Sequence, residues 1–333
     1  MKNQSECKTE KLKTQNHITQ KHITESLTAE NCKTGDLKPG KLYICATPIG
    51  NLGDMTPRVI EALQKADVIA AEDTRNSIRL LNHFGIKTPM TSYHEFNKYE
   101  KADELVGQML SGKTVAIVTD AGTPCISDPG EVLVEKCAQA GIEITSLPGA
   151  SAVITALTLS ALPTRRFVFE GFLPPVKNKK EREEALLRIR QETRTIVLYE
   201  APHHLTAALR ALSEVLGEMR RISLCRELTK RYEEVERTTL GAALRQFESG
   251  AREPRGEYVL VIEGRSAEET ERELTQERAE RFSDLSLSAH VQSYMDQGMD
   301  KKEAMRAAAK DRGMSRRDIY QALLAEEQET ADE

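Results

Sequence analysis

At 333 residues, 39% apolar and 30% charged, the chain is long enough for two ordinary domains and has a soluble, globular profile. Its formal net charge of −5 argues against bulk nucleic-acid binding, so any basic surface is local; no stretch reaches the ~18–20 apolar residues of a membrane span, and MKNQSECKTEKLKTQ lacks the apolar core of a secretory signal. The six cysteines, Cys7, Cys32, Cys45, Cys125, Cys137 and Cys225, contain no C-x-x-C pair, which excludes a zinc ribbon or disulfide framework and fits a reducing cytosol.

Residues 1–40 are polar, without sustained periodicity, and read as a disordered N-terminal extension. From 41 onward, strand patterns at 41–46, 67–71, 114–119 and 142–146, with a weaker one at 89–93, alternate with helical patterns at 57–66, 74–84, 98–111, 130–140 and 150–159. That alternation predicts a parallel sheet in an α/β domain over 41–163. A second α/β domain, 164–265, carries the strand-like runs RFVFEGF, TIVLYEA, ISLCREL, YEEVERTTL and EYVLVIEG, with helices at 180–191, 202–216 and 239–248. Strands without long crossovers predict a mixed sheet there. The Glu/Arg-rich stretch 266–283 reads as a linker or solvated helix. Residues 284–328 read as a small helical domain. Within it, KKEAMRAAAKDRGMSRRDIYQALL has a helix-turn-helix pattern, with Ser315 placed to cap the second helix.

The turn CATPIGNLGDMT joins the first strand to a helix but is neither G-x-G-x-x-G nor a P-loop, which excludes a Rossmann dehydrogenase. Several other loops follow strands, where open α/β sheets bind ligands. In Asp120–Gly130, DAGTPCISDPG, two prolines and two glycines make a rigid loop that is either a ligand-binding backbone or a tight structural turn. In LPGASA, small residues permit close approach of a ligand, or Ser151 is simply a helix cap. Glu72-Asp73-Thr74-Arg75 is either a base and substrate clamp or an acidic helix start. The paired histidines in YEAPHH are adjacent and have no companion cluster, so no metal is expected. The basic loop GFLPPVKNKK is a solvated loop or a phosphate contact.

Taken in order, TPIGNLGDMTPR, AEDTR, DAGTPCISDPG, PGASA, GFLP, YEAPHH, CRELTKRYEE and GEYVLVIEG resemble the ribosomal RNA small-subunit methyltransferase I family, within the tetrapyrrole-methylase-like superfamily. The resemblance spans roughly 41–265, and the tail is similar to that family's C-terminal helical domain. It implies two α/β domains with S-adenosylmethionine in the cleft between them. It also implies a homodimer and methyl transfer to the ribose 2′-oxygen of a cytidine in the decoding centre of small-subunit ribosomal RNA. By motif, it assigns to the cofactor Pro48, Gly122, Thr123, Pro124, Ile126, Ser127, Ser151 and Ala152, together with Tyr199, Glu200, Leu228 and Tyr258. Gly50, Asn51, Gly53 and Asp54 then shape the acceptor side, with Asp54 orienting polar groups or capping the next helix.

A sulfonium methyl is already activated and needs no metal, so the remaining problems are positioning the ribose oxygen and accepting its proton. Candidate bases are Glu72, Asp73, Asp54 and Glu200; the Glu72-Asp73-Arg75 group is favoured, with Arg75 holding a phosphate. Lys301, Lys302, Arg306, Lys310, Arg312, Arg316 and Arg317 are the expected RNA contacts. One rival is a methyltransferase acting on a tetrapyrrole or other small molecule, which shares the cofactor motifs but has no use for a basic tail. The other is a non-catalytic ribosome-assembly protein, against which the intact glycine turns argue.

Overall fold

Short apolar runs, each followed by a helical segment, dictate the first half of the chain. A computed structural model describes residues 38–282, 285–315 and 317–324, without the side chains of 273–275, 277–279 and 281. All of the expected N-terminal extension except 38–40 lies outside the described residues. Two units divide between Ala152 and Val153.

In the first unit, β1 (Lys41–Cys45), β2 (Val68–Ala71), β3 (Met90–Ser92), β4 (Val115–Val118) and β5 (Glu143–Leu147) form a wholly parallel sheet in the order β3-β2-β4-β1-β5. Its helices are α1 (Pro57–Lys65), α2 (Thr74–His83), α3 (Lys98–Leu110) and α4 (Gly130–Gln139). Strand side chains alternate between two cores. Leu42, Ile44, Val115 and Ile117 pack with Leu105 and Leu133; Cys45, Ala116 and Val118 pack with Val59 and Leu63. Both faces are therefore buried, as a parallel sheet requires. The connections leaving neighbours β1 and β4 run in opposite directions, towards β2 and β5. Such a divergence leaves a crevice at the carboxyl ends of the strands.

The second unit begins with α5 (Ala152–Leu159), earlier than the boundary at 163 expected from the sequence. The reason is bonding: the Cys225 thiol donates to the Ala156 carbonyl at 3.8 Å, and Arg237 Nε donates to the Leu159 carbonyl at 3.0 Å. Both partners belong to the second sheet, made of β6 (Phe167–Phe172), β7 (Thr195–Glu200), β8 (Arg221–Arg226), β9 (Glu234–Thr239) and β10 (Tyr258–Ile262). The order is β6-β7-β10-β8-β9, with β6 and β7 parallel and the other pairs antiparallel. One face packs Ile196, Leu198, Leu224 and Leu260 against Leu205, Leu209 and Phe247 of α7 (Pro202–Leu216) and α8 (Leu240–Glu248), beside α6 (Lys179–Gln191).

The stretch expected as a linker or solvated helix is helical. In α9 (Ala267–Arg281), Glu269 receives a two-pronged 3.0 Å contact from Arg220. The tail packs α10 (Leu287–Met295), α11 (Lys301–Asp311) and α12 (317–324) around Leu287, Val291, Ala304, Ala308, Ile319 and Leu323. Ser315 caps α12 as expected, accepting the Asp318 N–H at 3.2 Å.

The structure corrects one expected RNA contact. Arg312 is an internal clamp, donating to the carbonyls of Phe282 (2.9 Å) and Leu285 (2.5 Å) and to His290 Nδ1 (3.1 Å). His290 is fully buried and stacks on Phe282 with ring centroids 3.9 Å apart. Replacing Arg312 by Met should destabilise the tail by about 2–3 kcal/mol, seen as faster amide exchange in α10 and α11 with both sheets unaffected. Burial, then the Arg312 cation, holds the His290 imidazole below its ordinary 6.5, so the unfolded tail takes up the proton first. Tail stability should therefore be full above pH 6.5 and fall as pH drops below it; exchange protection that is flat from pH 7.5 to 5 would contradict this.

Candidate functional site

Three loops leave the carboxyl ends of β1, β4 and β5, and backbone pairing ties them together. Thr47 N–H donates to the Gly122 carbonyl at 2.8 Å, and Gly122 N–H returns to the Thr47 carbonyl at 3.1 Å. Thr47 Oγ1 adds a 3.3 Å bond to the Thr119 carbonyl. Thr123 Oγ1 reaches the Ala150 carbonyl at 3.0 Å, joining the third loop. Gly122 has φ +87°, where a side chain is strained, and an added Cβ would stand 3.3 Å from Ile49 Cγ2. A Cβ on Gly149 would stand 2.6 Å from the Ala46 Cβ, so the β5 loop lies directly on the end of β1. Pro48, Gly122, Thr123 and Pro124 are thus brought together with the Gly149–Ala150 turn that leads into Ser151 and Ala152.

The β4 loop is a built turn. Asp128 accepts N–H bonds from Cys125 (2.8 Å) and Gly130 (2.7 Å). Burial pushes its carboxyl above the ordinary value against the pull of those two bonds. Cys125 (φ 69°) and Ser127 (φ 60°) are left-handed without being glycine, a strain that clusters at functional sites. Ile126 projects between them, largely exposed.

At the neighbouring end of β2, the acidic group divides into two roles. Asp73 caps α2 by accepting the Arg75 N–H at 2.8 Å, and the Arg75 guanidinium forks onto both its oxygens at 3.0 and 2.8 Å. These bonds hold the Asp73 carboxyl down to about 2, which makes it a poor base. Glu72 instead accepts a 2.7 Å bond from Thr119 Oγ1 on β4's exit. It lines a small recess with Tyr93, Thr119, Pro124, Asp128 and Pro129. Asp54 is exposed at the end of a short 3-10 turn, Leu52–Asp54, and the cap on α1 is Thr56, which accepts the Val59 N–H at 3.3 Å.

The second unit carries its own strained turn. Glu227 (φ 52°) and Thr229 (φ 66°) flank buried Leu228, and Lys230 braces the turn against Glu227 (2.9 Å) and Glu257 (2.8 Å). Tyr258, only 2% exposed, has a hydroxyl without a hydrogen-bond partner, and so does Thr229 Oγ1. The orphaned Thr229 hydroxyl in this strained turn fits a polar ligand, whereas the Tyr258 ring packs in the apolar core against Phe247. Tyr199 packs edge-on to Phe169 at 4.9 Å. Glu200 is buried and accepts the Ala201 N–H at 3.0 Å, with burial pushing its carboxyl upward.

On α11, Lys301, Lys302, Arg306 and Lys310 are exposed, and the last three recur at i, i+4 on the face opposite Ala304 and Ala308. Arg317 is exposed on α12, while Arg316 lies outside the described residues. Residues that sequence reasoning missed include Thr119, the partner of Glu72, and Asn76, whose amide donates to Asp120 at 3.1 Å. The only sequence signal is position: Thr119 directly follows a strand, and Asn76 lies in the first turn of the helix after one. Among the described residues no group of His, Cys, Asp and Glu could hold a metal ion, and no helix is long and apolar enough to cross a membrane.

Gly149→Ala should cost about 1–3 kcal/mol in denaturant unfolding. Adding Ala46→Gly should restore most of that loss by removing the atom it strikes. A double variant no more stable than Gly149→Ala would show that the two positions do not press on one another.

Residues 41–244 match the family described as Tetrapyrrole (Corrin/Porphyrin) Methylases. The chain is 47% identical over 285 residues to the ribosomal RNA small subunit methyltransferase I of Synechocystis sp., covering 86% of this chain and 98% of that protein. It is 45% identical over 283 residues to the protein of that name from Halalkalibacterium halodurans, covering 84% and 93%. Among solved structures, diphthine synthase superposes with a TM-score of 0.52 at 13% identity over 67% of this chain and 90% of that one, a likeness of fold alone. With the loops and both sheets in place, the chain belongs to the ribosomal RNA small subunit methyltransferase I family of tetrapyrrole methylases.

Proposed function

We propose that this protein uses S-adenosylmethionine to methylate the ribose 2′-oxygen of a cytidine in the decoding centre of small-subunit (16S) ribosomal RNA. The observation that carries the reading is the 47% identity over nearly the full length of a relative named for small-subunit ribosomal RNA methylation. S-adenosylmethionine supplies an activated methyl on a cationic sulfur. The three bound loops of the first unit offer it backbone groups at Pro48, Gly122–Ser127 and Ser151–Ala152. Tyr199, Glu200, Leu228 and Tyr258 are the residues of the second unit that the family's motifs assign to the cofactor.

Glu72 is the proton acceptor in this reading. One of its oxygens is engaged by Thr119, which fixes the carboxylate at the recess and leaves the other oxygen to take the proton of the ribose hydroxyl. Asp73 and Arg75 position the start of α2 beneath it, and Asp54 lies on the exposed acceptor-side turn. The basic face of α11, with Arg317, contacts phosphates away from the reacting nucleotide. The same reading extends to a cytoplasmic homodimer, which sedimentation of the pure protein tests.

Mapping 2′-O-methyl marks on small subunits treated with the pure protein tests the function: one cytidine mark near the decoding centre is expected, and methylation of a tetrapyrrole instead would refute it. Glu72→Gln should lower kcat at least about 100-fold with unchanged cofactor affinity by calorimetry, whereas Asp73→Asn should lose far less. Changing Lys302, Arg306 and Lys310 to Gln should weaken RNA binding and reduce the slope of log K against log salt by about 2–3. An unaltered slope would remove α11 from the interface.

A further inference from the structure

The connection from β3 to α3 was given no role by its sequence, yet it presents the most exposed large apolar side chain described. Phe96 is 97% accessible. It does not lie in a loose segment. Asn97 closes the turn three ways: its Oδ1 accepts the His94 N–H at 2.8 Å, its Nδ2 donates to the Ser92 carbonyl at 3.2 Å, and its own N–H donates to the His94 carbonyl at 3.0 Å. The His94 ring stands edge-on to Phe96 at 6.0 Å, and His94 Nδ1 is buried with no hydrogen-bond partner.

The turn rises from the same sheet end as the proposed base. Ser92 pairs in register with Ala71, the residue before Glu72, and Tyr93 N–H donates to the Ala71 carbonyl at 2.8 Å. Tyr93 shares the recess with Glu72. Arg75, with its side chain 88% exposed, stands at the start of the adjacent helix. The surroundings of Phe96 are polar: Glu95 pairs with Lys98 at 2.6 Å, and Asn97 is spent on the turn. The exposed rings of Phe96 and, three residues on, Tyr99 stand among charged side chains and lack the contiguous apolar area of a protein interface. The Phe96 ring has what an unpaired base needs, a flat and accessible π surface.

We propose that Phe96 is the stacking platform for an unpaired nucleobase of the RNA substrate, holding the strand open so that a ribose reaches Glu72. This rests on the RNA reading above. A ribose within stacked helical RNA is shielded, and a base stacked on an aromatic ring offsets the cost of unstacking it.

The test is steady-state methylation of isolated small subunits by the full-length protein and its Phe96 variants. Phe96→Ala should raise KM about ten-fold or more, with kcat within about two-fold, S-adenosylmethionine affinity unchanged and sedimentation unchanged. Phe96→Trp should restore KM. Phe96→Leu, apolar but without a π face, should not. A wild-type KM in Phe96→Ala, full rescue by Leu, or a change of oligomeric state in Phe96→Ala would each overturn the stacking role while leaving the methyltransferase reading intact. Failure of the wild-type protein to methylate small subunits would overturn both.

Discussion

The first unit depends on one reciprocal contact, the pair of backbone hydrogen bonds between Thr47 and Gly122. Parallel neighbours β1 and β4 send their connections in opposite directions, so the loops at their ends have no reason to stay together. The antiparallel bridge closes that gap after the sheet has ended. Everything around it follows from the close approach. Gly122 takes a positive φ, Gly149 lies against Ala46 where a methyl would not fit, and Thr123 reaches the third loop. Backbone N–H and C=O groups held this way cost no ordering when a ligand arrives, which is how a rigid loop gains affinity.

The same economy appears in the acidic group after β2. Two adjacent carboxylates with similar sequence credentials are separated by their hydrogen bonds. Asp73 is consumed by the cap of α2 and the Arg75 fork, while Glu72 is turned into the recess by Thr119. In the second unit, strain at Glu227 and Thr229 coincides with a buried Thr229 hydroxyl that has no hydrogen-bond partner among the described residues. The tail spends one of its cations internally: Arg312 holds α10 and α11 together, and the remaining exposed cations fall along α11 and at Arg317.

Much of this was legible in the sequence. Short apolar runs alternating with helical patterns placed the elements of both sheets within a few residues, because strands buried on both faces read as near-continuous apolar runs. The weak run at 89–93 is a real edge strand, β3, and carries the turn with Phe96. The boundary near 163 was illegible because α5 is largely apolar and shows no strong face, and bonds such as those to Cys225 and Arg237 tie it to the second unit. The roles of Asp73 and Arg312 were illegible for a related reason. A charged residue at a helix end looks alike in sequence whether it faces solvent, a ligand or its own backbone. Phe96 escaped notice since an aromatic in a short polar turn has no periodicity to mark it.

In the proposed function, the hydrogen-bonded loops of the first unit grip S-adenosylmethionine. A crystal structure of the protein soaked with S-adenosylhomocysteine tests it most directly. The ligand should lie against the backbone of Pro48, Gly122–Ser127 and Ser151, with its sulfur directed towards the Glu72 recess. Density for it elsewhere, with those loops bare, would contradict the account.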